Sequence, residues 1–227
     1  MKVIIIGGVA GGASAAARLR RLNENAQIII LERGEYVSFA NCGLPYYIGG
    51  VIKDKSSLTL QTPQSFKARF NIDVRVMNEA VKIDSSAKEV TVLDKTSGNT
   101  YLESYDKLIL SPGAEPVKPP IDGIGSERVF TLRNIPDTYK IKEFIEREKP
   151  KTALVVGGGY IGVEMAENLA NAGLEVTIAE MAEQLITPLD YDMSADIHRY
   201  VTEKGIKLLR KKLLAIVFLP RSSFPLF

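Results

Sequence analysis

The sequence predicts an α/β protein built from two Rossmann-like dinucleotide-binding domains, with a small antiparallel β-meander. Three observations predict it. Two segments share one order of residues, an apolar run, a glycine cluster and an Ala-rich or apolar helix pattern: "KVIIIGGVAGGASAAARLRRL" near the start and "TALVVGGGYIGVEMAENLANAG" at 152–173. Each is followed by a second apolar run that ends in an acid, "AQIIILE" closing at Glu32 and "LEVTIAE" closing at Glu180. Between them, residues 72–100 alternate apolar and polar in short runs punctuated by turn residues.

In the first unit, Val3, Ile4, Ile5 and Ile6 read as a buried strand, Gly7 to Gly12 as the turn, and the stretch ending in Arg20 and Arg21 as a helix. In such a turn, glycines admit close approach of a pyrophosphate and the helix N-terminus offers N–H groups. An acid about twenty residues on then accepts ribose hydroxyls. The second unit, with Gly157, Gly159, Gly162 and Glu180, fits the full fingerprint; in the first, Val9 stands at the middle glycine position. Glycine serving only to pack helix on strand does not account for both acids.

After Glu32 comes "SFANCGLPYYIGG", which holds the one cysteine of the chain, Cys42. The runs "IDVRV", "AVKID" and "KEVTVLD" then read as the meander, and "YDKLILSPGAEPVKPP" as one buried strand stopped by Pro112 and Gly113. The Pro-rich stretch after it is the expected domain boundary, giving domains 1–115, 116–212 and an atypical apolar tail 213–227. "IPDTYKIKEFIERE" reads as a helix leading into the second unit.

The chain has 227 residues, of which 29 are basic and 27 acidic, mixed along its length, so neither nucleic acid nor an anionic membrane is expected as a partner. "MKVIIIGG" is too short for a signal peptide or a span, and one cysteine forms no internal disulfide. A cytoplasmic protein without a metal site is expected. The single histidine, His198 in "DIHRYVTEKG", reads as an exposed helix residue.

The two glycine units, the segment Ser111–Pro112–Gly113–Ala114 and the lone Cys42 resemble the flavin-dependent pyridine nucleotide–disulfide oxidoreductases, from Met1 to about Leu209. "SFANCGLPYYIGG" is most similar to the branch of coenzyme A-disulfide reductases and NADH-dependent persulfide or polysulfide reductases. The resemblance implies FAD on the first unit and NAD(P)H on the second. Carried over by position, Gly7, Gly8, Val9, Ala10, Gly11 and Gly12 hold the FAD pyrophosphate, Glu32 and Arg33 its ribose end, and the backbone of Val81 its adenine end. Ser111, Pro112, Gly113, Ala114 and Arg133 line the flavin side. Gly157, Gly158, Gly159, Ile161 and Gly162 face the NAD pyrophosphate, Tyr160 resembles an aromatic gate over the flavin, and Glu164 an acid beneath the nicotinamide. Glu180, with no arginine close behind it, favours NADH over NADPH.

A lone thiol beside a flavin has no internal partner, so it cycles with something external: a mixed disulfide, a persulfide or a sulfenic acid. Cys42 is therefore the expected redox catalyst, with Asn41 and backbone N–H groups favouring its thiolate. Related peroxidases and oxidases carry a histidine in the first glycine loop where this chain has Ala10. That weakens the sulfenic acid reading. Ser14, Arg18 and Arg21 share one helix face and, with Ser38 and Asn41, match positions that bind coenzyme A in the family. The resemblance thus implies reduction of coenzyme A disulfide, or of a related persulfide or polysulfide, by a protein that is a homodimer at full length. The alternatives are an NADH oxidase or peroxidase, and a nucleotide-binding redox sensor without turnover. "KGIKLL" still resembles the family and "RKKLLAIVFLPRSSFPLF" does not, so a C-terminally truncated or frame-shifted product is expected.

Overall fold

The computed structural model describes residues 1–211; the tail expected at 213–227 lies outside the described residues. In chain order the elements are β1 (Lys2–Ile6), α1 (Ala10–Leu22), β2 (Gln27–Glu32), α2 (Leu44–Ile48), α3 (Pro63–Phe70), β3 (Asp73–Val76), β4 (Asn78–Asp84), β5 (Glu89–Asp94), β6 (Thr100–Ser104), β7 (Lys107–Leu110), α4 (Ile135–Glu148), β8 (Thr152–Val156), α5 (Tyr160–Asn171), β9 (Glu175–Glu180), α6 (Tyr191–Glu203) and β10 (Lys207–Arg210). They form two compact units. One comprises Met1–Ala40 and Ser56–Glu115, the other Asn41–Lys55 and, among the described residues, 116–211.

In the first unit a parallel sheet runs in the order β3-β2-β1-β7. Both its faces are covered, which is why β1 and β2 read as unbroken apolar runs rather than as alternation. Val3, Ile5, Ile28 and Ile30 pack against Ala13 and Ala16 of α1 and Phe66 of α3, while Ile4, Ile29 and Leu31 pack against Val90 and Val92 of β5. The alanines keep α1 slim. Arg20 then fastens its C-terminal turn by donating to the carbonyls of Phe70 (2.7 Å) and Asn71 (3.0 Å) at the end of α3. Thr62 caps α3 reciprocally with Ser65, and Asn71 ends it in the left-handed region at φ 48°.

The antiparallel meander is β4-β5-β6. One expectation is corrected here: "IDVRV" is not part of it. Its residues form β3, which pairs in parallel with β2 (Ile30 opposite Val74) and so extends the Rossmann sheet. The chain turns at Met77, φ 57°, before the meander starts. Alternation alone does not distinguish an edge strand of one sheet from the first strand of another.

In the second unit a parallel sheet runs β10-β9-β8. Met165, Ala166 and Leu169 of α5, Val201 of α6, and Val176 and Ile178 of β9 form its core with Ile141 of α4 and Ile48 of α2. Asn134 caps α4 by accepting from the Asp137 N–H at 3.0 Å, with a proline in the first turn. The short α2 belongs to this core through a T-shaped contact of Tyr47 with Tyr139 at 5.8 Å between ring centres. Gly49 permits its close approach to α5, since a Cβ there would stand 2.5 Å from Asn168 Oδ1.

Candidate functional site

Two glycine turns organise the site residues, one in each unit. In the first, β1 ends at Ile6 and Gly7 adopts φ +94°, a conformation that favours glycine. A Cβ on Gly12 would overlap the Gly7 carbonyl oxygen, so this glycine sets how closely α1 follows the strand. Val9 stands at the middle position, as the N-cap of α1, with φ −95° and ψ −126°, outside the ordinary helical and extended regions. Glu32 closes the turn from the end of β2, one carboxylate oxygen accepting from Gly8 N–H (2.8 Å) and the other from Gly34 N–H (2.8 Å).

A cavity of about 230 Å³ opens beside this turn, lined by Gly7, Glu32 and Arg33, by Asn78, Glu79 and Ala80 of β4, and by Pro112, Gly113, Ala114 and Glu115. Arg33 and Glu115, both lining it, are ion-paired. Ser111 donates its N–H to Ile6 O at 2.8 Å and sets its own carbonyl against Gly7 and its hydroxyl against Gly11. The structure thus brings Gly7, Glu32, Arg33 and 112–114 together. Val81 is half-exposed at the β-bulge just past the lining residues. Asn78, Glu79, Ala80 and Glu115 were not expected from sequence; the "NEA" before the bulge carries no motif, and only the sheet brings it to the cavity.

Ser38 is tied to the same turn. Its N–H donates to Gly8 O at 2.9 Å, and its backbone holds φ 48°. Ser14, Arg18 and Arg21 are exposed on α1, whereas Arg20, between the two arginines, is committed to the carbonyls of α3.

In the second unit the geometry repeats. Gly157 has φ +100°, a Cβ on Gly162 would overlap Gly157 O, and Glu180 accepts from Gly158 N–H (2.5 Å) and Ala182 N–H (2.7 Å). Tyr160 and Ile161 open α5 and are exposed, each 60% accessible. Glu164 is half-buried one turn further on, and its carbonyl accepts from Asn168 Nδ2 at 2.8 Å. Arg133 precedes the cap of α4, its N–H donating to Asp137 Oδ2 at 3.0 Å. A groove of about 720 Å³ runs from Gly157, Gly159 and Tyr160 along the strand β8 between apolar side chains of α4 and of 116–132. Its lining is mostly apolar, with Lys118, Thr131 and Thr152 as polar side chains besides the backbone of the Gly157 turn.

Cys42 lies in this unit, exposed, in the 3-10 turn Asn41–Gly43 that leads into α2. Its neighbour Asn41 carries a buried Oδ1 without a hydrogen-bond partner. Packing of Tyr47 and Ile48 behind it anchors the turn and leaves the thiol to solvent.

His198 departs from expectation. It is half-buried and accepts the Leu185 N–H on Nε2 at 3.0 Å, because the loop after β9 folds back onto α6. Burial, with Arg210 beside it, holds its pKa below the ordinary histidine value. Sequence gave no sign of this, since the partner is a backbone N–H. Among the described residues no cluster of histidine, cysteine and carboxylates could hold a metal ion, and no helix is long and apolar enough to cross a membrane.

The sequence profile of the pyridine nucleotide-disulphide oxidoreductases matches residues 1–216. The chain belongs to this family. Among its relatives in the family is a protein named coenzyme A disulfide reductase from Staphylococcus haemolyticus, 42% identical over 193 residues, which are 85% of this chain and 43% of the relative. Of solved structures, the reduced Bacillus anthracis CoADR-RHD is 54% identical with a TM-score of 0.89, over 92% of this chain and 38% of that one. A NAD-dependent persulfide reductase from A. fulgidus is 38% identical with a TM-score of 0.88, over 93% and 40%. The chain therefore spans less than half the length of these relatives.

Proposed function

We propose that the chain carries the electron-transfer half of an NAD(P)H-dependent reductase of coenzyme A disulfide, or of a related persulfide or polysulfide. The observation that carries this reading is an exposed single thiol, Cys42, in a chain with two glycine turns that each grip their own acid. The residues of the first unit fit the ADP side of FAD. Gly7, Glu32 and Arg33 line a cavity that takes part of a dinucleotide, and the turn from Gly7 leads into the N-terminus of α1, where backbone N–H groups suit a pyrophosphate. When bound, FAD supplies a two-electron relay between a nicotinamide and a sulfur centre.

The chain's own chemistry is at Cys42. Its thiolate attacks one sulfur of the disulfide, the S–S bond breaks, one thiol leaves and a mixed disulfide remains. Two electrons from NAD(P)H then break that bond, returning the thiolate and releasing the second thiol; a proton is taken up. Exposure at the 3-10 turn gives a large thiol substrate access. Ser14, Arg18 and Arg21 on α1, with Ser38 and Asn41, are the proposed contacts for coenzyme A, whose phosphates suit exposed arginines. Gly157 to Gly162, Tyr160, Glu164 and Glu180 are the proposed nicotinamide nucleotide site. A homodimer and a cytoplasmic setting complete the reading.

Cys42→Ser tests it. The variant is expected to lose all NADH-driven release of thiol from coenzyme A disulfide while flavin content is unchanged, with wild type and variant assayed in parallel by thiol titration. Sustained turnover in the variant removes the assignment.

A further inference from the structure

The loop between β9 and α6 connects the nucleotide turn of the second unit to the chain's one histidine. Ile186 donates its N–H to the Gly158 carbonyl at 2.8 Å, and a Cβ on Gly158 would overlap the Leu185 side chain. Gly158 is therefore held on both sides, its N–H by Glu180 and its carbonyl by Ile186. The preceding residue, Leu185, is fully buried and is itself fastened twice to α6: its N–H donates to His198 Nε2 at 3.0 Å, and its carbonyl accepts from the Ser194 hydroxyl at 2.5 Å. An unbroken run of hydrogen bonds and adjacent residues thus leads from His198 through Leu185 and Ile186 to the turn that is to hold a pyrophosphate.

We propose that His198 is a positioning residue for the nucleotide turn: as a neutral imidazole it holds Leu185 and Ile186 against Gly158, and its protonation releases that hold and weakens nucleotide binding. This rests on the reading of Gly157 to Gly162 as a nicotinamide nucleotide site.

The chemistry follows from the donor count. A neutral imidazole accepts at one nitrogen only; the Leu185 N–H at 3.0 Å from Nε2 is the closer donor and Arg210 at 3.4 Å from Nδ1 the farther, so the lone pair is assigned to Nε2 and the proton to Nδ1, with Arg210 beside Nδ1 making no hydrogen bond to it. A second proton would go to Nε2, where it would face the Leu185 N–H, donor against donor. Arg210 on β10 stands 3.4 Å from Nδ1 and opposes the added charge, while its guanidinium also donates to Glu183 O at 3.1 Å. Of the other groups around the ring, Tyr191 of α6 meets it edge-on at 6.5 Å between centres, and the Glu183 carboxylate is engaged by Lys211 at 2.5 Å. No carboxylate is recorded in contact with the imidazole among the described residues, so nothing there rewards its protonation. The sign is then set. Folding holds the imidazole pKa low, so the grip is complete above the ordinary histidine value and is lost as pH falls from there through the lowered one.

Because the chain has a single histidine, its imidazole resonances report this titration without overlap. The experiment follows the histidine and the backbone amides of Gly158, Leu185 and Ile186 by NMR on the chain, together with calorimetric titration of NAD⁺ at about pH 7.5 and at a pH below the histidine midpoint that the same NMR titration reads. The three amides are expected to shift with the histidine midpoint. NAD⁺ affinity is expected to fall by about five-fold at the lower pH, the size of one net hydrogen bond. His198→Gln, which keeps an acceptor but does not titrate, is expected to bind with little pH dependence, and His198→Leu to bind weakly at both pH values. A Gly158 amide that ignores the histidine titration overturns the proposal, as does wild-type affinity that is the same at both pH values or a Gln variant as pH-dependent as wild type. No NAD⁺ binding at either pH instead defeats the nucleotide reading, and the Gly158 amide alone then decides whether His198 positions the turn.

Discussion

The two glycine turns are nearly the same object set in different surroundings. Gly7 and Gly157 share a positive φ, Gly12 and Gly162 share a close approach to the carbonyl they follow, and Glu32 and Glu180 each accept two backbone N–H groups. What differs is the strand alongside. β1 lies between β2 and β7, and β7 delivers Ser111 and Pro112 directly over Gly7. Among the described residues β8 is paired with β9 alone, no atom would meet a Cβ on Gly157 within 4 Å, and Leu154 and Val156 are exposed at 43% and 46%. A turn is thus specified by a dozen local residues, whereas its enclosure comes from a strand about a hundred residues further along the chain.

The largest expected effect separates these two contributions. Gly7→Ala and Gly157→Ala both impose a left-handed conformation on an L-residue, at about 1–2 kcal/mol. At Gly7 the new Cβ also overlaps the Ser111 carbonyl, and displacing a packed backbone adds about 1–3 kcal/mol more. Gly7→Ala is expected to destabilise its unit by about twice as much as Gly157→Ala, measured by denaturant unfolding with amide exchange assigned to each unit. Equal losses would mean that β7 gives way freely and that enclosure of the first turn is looser than the contact implies.

The difference also explains what sequence could convey. Turn geometry was legible because φ and close approach act within one strand–turn–helix unit. The helix at 135–148 was legible for the same reason, since Asn134 and Pro136 mark its start locally. β3 was not. Its alternation suits either sheet, and its destination depends on pairing with β2, some forty residues earlier. The packing of α2 beside α4 was equally hidden: Lys142 Nζ lies 5.3 Å over the Tyr47 ring, a contact between distant parts of the chain. His198 escaped because an imidazole that accepts a backbone N–H leaves no pattern in the residues around it.

A middle-sized effect tests whether the two acids are equivalent. Glu32→Gln and Glu180→Gln each replace one acceptor oxygen with a donor, leaving one turn N–H facing an NH₂ group. About 1–3 kcal/mol of local stability is expected to be lost in each unit. Their consequences should diverge with ligand. If Glu180 selects the ribose as proposed, Glu180→Gln is expected to raise the efficiency of NADPH relative to NADH, because the neutral amide no longer repels a 2′-phosphate, while Glu32→Gln leaves that ratio alone. Steady-state comparison of the two cofactors reads this directly. A ratio unmoved by Glu180→Gln would show that the carboxylate is spent on Gly158 and Ala182 and does not select the ribose.

The smallest expected effect is in the order of acid loosening. In the first unit Glu103 accepts from Arg75 at 2.5 Å and is ion-paired with Lys2, while Arg75 also donates to Tyr101 and Asp73. Burial opposes the Glu103 charge, but the hydrogen bonds from Lys2 and Arg75 outweigh it and hold its carboxyl below the usual range. A lowered carboxyl contributes stability that is complete above the ordinary glutamate pKa of about 4.3 and is lost as pH falls through its lowered value. In the second unit pairs such as Arg199–Asp196 and Lys211–Glu183 are exposed at both ends and contribute little, while His198 weakens the loop 181–190 from about pH 6.5 downward. On slow acidification the amides of Leu185, Ile186 and Gly158 should therefore lose protection first, over the histidine range. Those of β3 and β6 should follow only in the carboxylate range. Loss in the reverse order would mean that the Arg75–Glu103–Lys2 network does not hold the first unit together, and that its acids are screened by water despite their partners.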